Sequence, residues 1–201
     1  MRRSSTAILL FAAVAGCTSE KPAASPEWIP VSEATLTQSQ IGQKANALAA
    51  RDALFERLMA RLMAVVQAEG PASAIAVCQS DASTIAETVG REKFVRIGRT
   101  SDKLRNSKNQ SPDWAVSLLA NRPTEATFLA GPDGRFGAIL PIRLKAQCLT
   151  CHGPQESIPI PVREALASRY PQDRAVGYAE GDHRGWFWVE VAKESTETGR
   201  K

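Results

Sequence analysis

The strongest constraint in this sequence is a short motif late in the chain, Cys148-Leu149-Thr150-Cys151-His152. It has the C-x-x-C-H spacing at which a c-type haem is attached to protein. The thiols of Cys148 and Cys151 would add across the two haem vinyl groups, and His152 would then coordinate the iron as an axial ligand. The motif therefore predicts one covalently bound haem c, with its iron, and a fold arranged around that flat group.

Two other chemistries also use a C-x-x-C pair. A zinc site would need two more good ligands, and outside the motif the chain offers only Cys78, His183 and carboxylates. A thioredoxin-like redox pair opens a helix after a strand of a βαβ unit, and no such unit surrounds the motif. Haem c is therefore the favoured interpretation, with zinc and a redox pair as alternatives.

The beginning of the chain has the composition of an export signal. Arg2 and Arg3 precede an apolar stretch at residues 7–15, which is too short to span a bilayer. This stretch ends in Gly16-Cys17, and small residues before a cysteine resemble the lipobox of bacterial lipoproteins. We expect Cys17 to be acylated and the chain to be anchored on the periplasmic side of a bacterial membrane. Thr18, rather than aspartate, favours the outer membrane; a plain secretory leader is the alternative.

Length and composition predict one domain with appendages. We expect a signal peptide at residues 1–16, a proline-containing tether at 17–30, a haem domain at 31–195 and a tail at 196–201. The net charge of +4 includes the two arginines of the leader, and the other basic residues are spread along the chain. Nucleic acid is therefore not an expected partner. A redox or signalling protein is expected, while its identity and the oligomeric state do not follow from the sequence.

The periodicity of apolar residues places helices first and strands later. Steps of three and four residues predict helices at 31–69 and 71–90, the second one opening at a proline and closing at a glycine. Further elements are predicted as strands at 94–98, 127–130, 136–144 and 186–191, and as short helices at 113–120 and 162–169. This order is typical of an α+β fold with an antiparallel sheet.

Cys78 is left without a sulfur partner if Cys17 carries lipid and the motif carries haem. It shares a face of the predicted second helix with Ile75, Ala82 and Ile85, so we expect it to face the core. A free cysteine in a core is most often a small buried hydrophobe. A haem changes this expectation, because the iron needs a ligand opposite its histidine or a vacant site there.

Several groups compete for that second axial position. Cys78 is the favoured ligand, and a vacant or water-filled site is the next candidate. His183 lies in a polar turn, where a histidine is usually a surface residue, and Met59 and Met63 lie on the first predicted helix, where methionines usually pack in the core. The basic side chains that could pair with haem propionates are Arg96, Arg99, Lys103 and Arg105, of which Arg99 and Arg105 are favoured.

These segments together resemble a c-type haem-binding family that was first described as a domain of unknown function. The resemblance covers most of the chain after the tether. It rests on Ala76-Val77-Cys78, Arg99-Thr100-Ser101, Lys103-Leu104-Arg105-Asn106, Asn109, Pro112-Asp113-Trp114, the motif with Gly153-Pro154, Asp173-Arg174-Ala175-Val176-Gly177-Tyr178, Gly181-Asp182 and Arg184-Gly185. It implies a PAS-like antiparallel sheet with N-terminal helices packed around the haem, and His152 and Cys78 as iron ligands. Ser107 departs from the family pattern, which has proline there.

The predicted ligand set favours electron transfer or redox sensing. A thiolate ligand donates electron density to ferric iron and so lowers the reduction potential. With both axial positions filled, no substrate site is evident at the iron, and we do not expect an enzyme. A sensor of carbon monoxide or nitric oxide that signals through a partner is the alternative, and a peroxidase is less favoured.

Overall fold

After a short strand and a 3-10 turn, two long helices follow in the part of the chain that this computed structural model describes, residues 27–193. Helix α1 (Gln38–Glu69) begins at a capping box, in which Thr37 Oγ1 accepts from the backbone N–H of Gln40 and the Gln40 side chain accepts from that of Thr37. It ends at Gly70, whose φ of +87° suits a residue without a Cβ. Helix α2 (Pro71–Lys93) follows at once and packs along α1.

A five-stranded antiparallel sheet lies against this helix pair. Its strands are β1 (Ile29–Val31), β2 (Val95–Thr100), β3 (Thr127–Ala130), β4 (Phe136–Arg143) and β5 (His183–Val191), in the order β1-β3-β4-β5-β2. Three short helices complete the fold: α3 (Asp113–Ala120), α4 (Leu149–His152) and α5 (Ile160–Arg169).

The main core lies between the helix pair and one face of the sheet. Alternate residues of each strand point to this face. Its fully buried members come from both layers: Ala47, Ala50, Leu54, Val89, Phe136, Ala138, Leu140 and Val189. The small alanines of α1 let that helix approach the sheet closely. Leu54 is the last residue of α1 buried in this core, and Leu58 and Val65 are instead buried in a second cluster with residues of α2.

The opposite face of the sheet is covered by α3 and by aromatic side chains. The Trp28 and Trp114 rings stack with centroids 4.6 Å apart. Glu190 is buried on this face and accepts hydrogen bonds from Arg96, Arg135 and the indole of Trp114. These donors compensate the carboxylate for its loss of water. The cavity that contains His152 lies on the other side of the sheet.

The predicted α+β fold with an antiparallel sheet is confirmed. Helix α1 starts at Gln38 rather than at residue 31, because residues 33–35 form a 3-10 turn and Thr37 supplies the cap. The predicted tether overlaps the folded part, since Ile29–Val31 pairs with β3 in the sheet. The predicted signal peptide, Cys17, most of the tether and the predicted tail lie outside the described residues. Over residues 27–193, no helix combines the length and the apolar composition required to cross a bilayer.

Gly185 should be intolerant of any side chain. Its φ is +151°, and a Cβ would lie 2.3 Å from the carbonyl oxygen of Thr100 on β2. Gly181 has a φ of +85° with no atom within 4 Å of the position of a Cβ. A substitution at Gly181 therefore causes backbone strain without a collision and is the control for Gly185. We expect Gly185→Ala to lower the free energy of unfolding by about 2–3 kcal/mol and Gly181→Ala by about 1 kcal/mol. Urea unfolding followed by circular dichroism tests this, and equal losses would contradict the collision.

Candidate functional site

A cavity of about 310 Å³ lies between α1, α2, the end of β2 and the segment around α4. It brings together all six residues predicted from the sequence to bind a cofactor: Cys78, Arg99, Arg105, Cys148, Cys151 and His152. The wall formed by α1 is apolar and consists of Phe55, Leu58, Met59, Leu62, Met63 and Val66. These side chains recur at three- and four-residue steps and thus form one stripe of the helix. The site accordingly combines sulfur, imidazole and guanidinium groups with an apolar wall.

His152 is fixed in one orientation by the backbone. Its Nδ1 lies 2.8 Å from the carbonyl oxygen of Ala175 and donates a hydrogen bond to it. Burial, with help from Arg105 and Arg184, holds the pKa of His152 well below its usual value, so the ring is neutral. A neutral imidazole that donates through Nδ1 keeps a free lone pair on Nε2. This is the usual arrangement of a histidine that binds a metal.

A strap of six residues, Asp173 to Tyr178, holds the motif from outside. Two backbone hydrogen bonds join the strap to the end of the motif: the N–H of Gly177 donates to the carbonyl of Gly153 at 2.8 Å, and the N–H of Tyr178 donates to the carbonyl of His152 at 3.0 Å. The Tyr178 ring also meets the His152 ring edge to face, with centroids 6.3 Å apart. In the sequence, this segment is recognisable only as part of a family pattern. Its contacts in the structure assign it a role in positioning His152.

Arg105 has a different environment from the one predicted. It was expected to pair with haem propionates, but its side chain is buried and already engaged. Its Nε donates to Asp173 Oδ2 at 3.0 Å, and its Nη2 donates to the carbonyls of Cys151, at 2.6 Å, and Ala175, at 3.1 Å. The guanidinium therefore links the strap to the motif, although it also lines the cavity.

Cys78 lies on the α2 wall of the same cavity and is half-buried. Burial raises the pKa of its thiol, and the positive charges of Arg99, Arg105 and Arg184 oppose that shift. These cations would favour a thiolate over a thiol if a metal took the proton's place. Burial likewise raises the pKa of the Cys151 thiol to about 11. Cys78, Cys148 and Cys151 are all free of disulfide bonds.

Two arginines line the cavity and keep side-chain N–H donors that make no hydrogen bond among residues 27–193. The side chain of Arg99 has no hydrogen-bond or ion-pair partner among residues 27–193, and burial lowers its pKa. Arg184 donates through Nη1 to the carbonyl of Lys103 at 3.0 Å, and burial lowers its pKa as well. Sequence reasoning missed Arg184 as a site residue, because its place in the cavity depends on the pairing of β5 with the rest of the sheet.

Arg96 and Lys103, the other two basic residues considered, do not line this cavity. Strand alternation puts Arg96 on the opposite face, where it pairs with Glu190 at 3.1 Å. Lys103 Nζ lies 5.0 Å above the Tyr178 ring. His183 is also outside the cavity wall and packs against Trp186, with ring centroids 4.4 Å apart.

Met59 and Met63 do line the cavity, contrary to the expectation that they pack in the core. The side chain of Met63 is 37% exposed. Both methionines therefore line the same cavity as Cys78.

A second cavity, of about 950 Å³, lies beside the outer edge of β2. It shares Cys78, Arg99 and Asn109 with the first cavity. Cys78 therefore lies in the wall between two open spaces. The zinc alternative requires several His, Cys, Asp or Glu side chains grouped around one point. In the described part of the chain, no three such side chains form a group that could hold a metal ion.

Comparison with known proteins gives two matches. The model of the Tll0287-like family matches residues 32–192. The crystal structure of the cyanobacterial haem protein Tll0287 is similar with a TM-score of 0.54 and 20% sequence identity, over 79% of this chain and 98% of that chain. No curated protein matches the chain. The structural likeness agrees with the α+β architecture.

Proposed function

Since this chain belongs to the Tll0287-like family, we propose that it binds one haem c and acts as a one-electron carrier or redox sensor. The family assignment also confirms the resemblance identified in the sequence. The observation that carries the proposal is the state of His152. Its Nδ1 is committed to Ala175, and its free Nε2 belongs to a cavity lined by three thiols.

The donor set fits a covalently attached haem. Cys148 and Cys151 would hold it through thioether bonds, and the neutral ring of His152 would bind iron through Nε2. The apolar stripe of α1 suits a flat macrocycle, since it offers large aliphatic and sulfur side chains without charges. The bound haem would supply one-electron redox chemistry at its iron.

Cys78 is the proposed ligand on the other side of the iron. In the described chain it is the one cysteine outside the motif, and it lines the same cavity. The three arginines around it would compensate the charge of its thiolate. A thiolate ligand stabilises the ferric state and lowers the reduction potential. If His152 and Cys78 both held the iron, a substrate would have to displace one of them, which favours electron transfer over catalysis.

Arg99 and Arg184 are the proposed partners of the haem propionates. Guanidinium groups bind carboxylates through two parallel hydrogen bonds. Arg99 has both of its terminal nitrogens uncommitted among residues 27–193, and Arg184 has used only Nη1. Arg105, favoured earlier together with Arg99, is assigned instead to the strap.

The haem and its second ligand can be tested together. A pyridine haemochrome assay should show one covalent haem in the purified chain, and Cys78→Ala should keep it, because the thioethers and His152 are untouched. The variant should lose the low-spin thiolate signal in electron paramagnetic resonance and gain on the order of 0.1 V in reduction potential. Met59→Ala and Met63→Ala are the matched controls and should leave the signal unchanged.

Each outcome of this experiment is decisive for one element of the proposal. A colourless wild-type protein from cells competent in cytochrome maturation would contradict haem attachment. An unchanged signal in Cys78→Ala would exclude Cys78 as a ligand, and a changed signal in one methionine variant would assign that methionine instead.

A gas sensor is the second candidate, and the shared wall between the two cavities favours it. A thiolate that leaves the iron on reduction would find open space in the second cavity. We therefore expect, for a sensor, that carbon monoxide added to the dithionite-reduced protein shifts the Soret band as one axial ligand is replaced. An unchanged spectrum after carbon monoxide supports a carrier, and turnover of peroxide would support an enzyme.

The proposed location is the periplasmic side of a bacterial outer membrane, with Cys17 as the lipid anchor. Two or more acyl chains on one cysteine suffice for stable attachment. Cys17→Ser should therefore release an exported protein into the soluble periplasmic fraction, with its haem content unchanged. Fractionation followed by immunoblotting checks this, and a variant that still sediments with membranes would refute the lipid anchor.

A further inference from the structure

We infer that the buried ion pair of Arg105 and Asp173 sets the reduction potential of the proposed haem by acting on His152. This inference rests on the proposed function, because it needs a haem iron bound to His152. Arg105 and Asp173 are positioning residues in this assignment: neither would touch the iron, and both act on it through the backbone of the strap and through their charges.

One carbonyl group connects His152 with the ion pair. The oxygen of Ala175 accepts two hydrogen bonds, from His152 Nδ1 at 2.8 Å and from Arg105 Nη2 at 3.1 Å. A carbonyl oxygen has two lone pairs, so this acceptor is fully used. A cationic donor draws electron density from the oxygen that it shares with the imidazole. Arg105 therefore moderates how strongly Ala175 polarises the His152 ring.

Asp173 holds the same residue through its N–H group. Its Oδ2 accepts from Arg105 Nε at 3.0 Å, and its Oδ1 accepts from the backbone N–H of Ala175 at 2.8 Å. One carboxylate thus holds both the residue whose carbonyl His152 binds and the cation that shares this carbonyl. All members of this network are connected by hydrogen bonds, and the position of each is defined by at least one other.

Burial strengthens the electrostatic effect of each charge of the pair on its surroundings. The side chains of Arg105 and Asp173 are 7% and 11% exposed. Charges in such an environment are screened far less than charges on the surface. Together the two nearly cancel, and loss of either one leaves the other uncompensated beside the proximal histidine.

The two losses should act in opposite directions. A positive charge near the iron favours the ferrous state and raises the potential, whereas a negative charge favours the ferric state and lowers it. Without Arg105 the carboxylate remains and Ala175 polarises the imidazole more strongly, and both effects lower the potential. Without the charge of Asp173 the guanidinium remains, and the potential rises.

The test is a double-mutant cycle on the full-length haem-loaded protein, with the reduction potential measured by spectroelectrochemical titration. Arg105→Gln should shift the potential down, Asp173→Asn should shift it up, and the double variant should lie close to wild type. Arg96→Gln is the matched control, because it removes the same charge from a side chain that pairs with Glu190 on the other face of the sheet. The control should not shift the potential.

Shifts in the same direction for both single variants, or no shift in either, would overturn the inference and leave a purely structural ion pair. If Arg105→Gln fails to fold or to attach haem, Asp173→Asn and the charge-retaining Arg105→Lys still test it. We expect a raised potential in the former and a potential close to wild type in the latter. Failure of the proposed function is recognised separately, since wild-type protein would then show no haemochrome.

Discussion

The hydrogen bond from His152 Nδ1 to the Ala175 carbonyl is the contact on which the site depends. It selects the tautomer of the ring, its orientation and the nitrogen that remains free for a metal. A hydrogen bond of this kind needs an acceptor that does not move. The strap supplies it, since Asp173 and Gly177 tie Ala175 to Arg105 and to the residue after the motif. The orientation of His152 is therefore a property of the fold and not of the motif alone.

The sheet and the helix pair bring the other groups to this histidine. Strand β2 carries Arg99 on its inner face, Arg184 is the second residue of β5, and α2 supplies Cys78. These residues are far apart in the chain and meet because β2 pairs with β5 while α2 crosses the same face of the sheet. The cavity that contains His152 lies on one face of the sheet, whereas the other face carries the stacked indoles and Glu190, which also lines the second cavity.

Much of the architecture follows from local signals in the sequence. The motif is contiguous, α2 has an opening proline, α3 lies at its predicted bounds, and β3 and β4 flank a clear turn. Cys78 could be assigned to a core-facing position from periodicity alone. The strap could not be interpreted, because its backbone hydrogen bonds depend on tertiary placement and carry no periodicity. The same holds for two arginines. Arg105 pairs with Asp173, and Arg184, which is not among the site residues predicted from the sequence, lines the cavity, because a guanidinium's partner is fixed by the folded neighbourhood and not by spacing.

The single-residue junction at Gly70 has a geometric consequence. Pro71 begins α2 directly after the glycine that ends α1, so no loop separates the two helices, which pack along each other. The wall with Met59 and Met63 belongs to α1, and Cys78 belongs to α2. The width of the cavity between these two walls is therefore set by one helix–helix packing surface, and substitutions in that surface should change the space available beside Cys78.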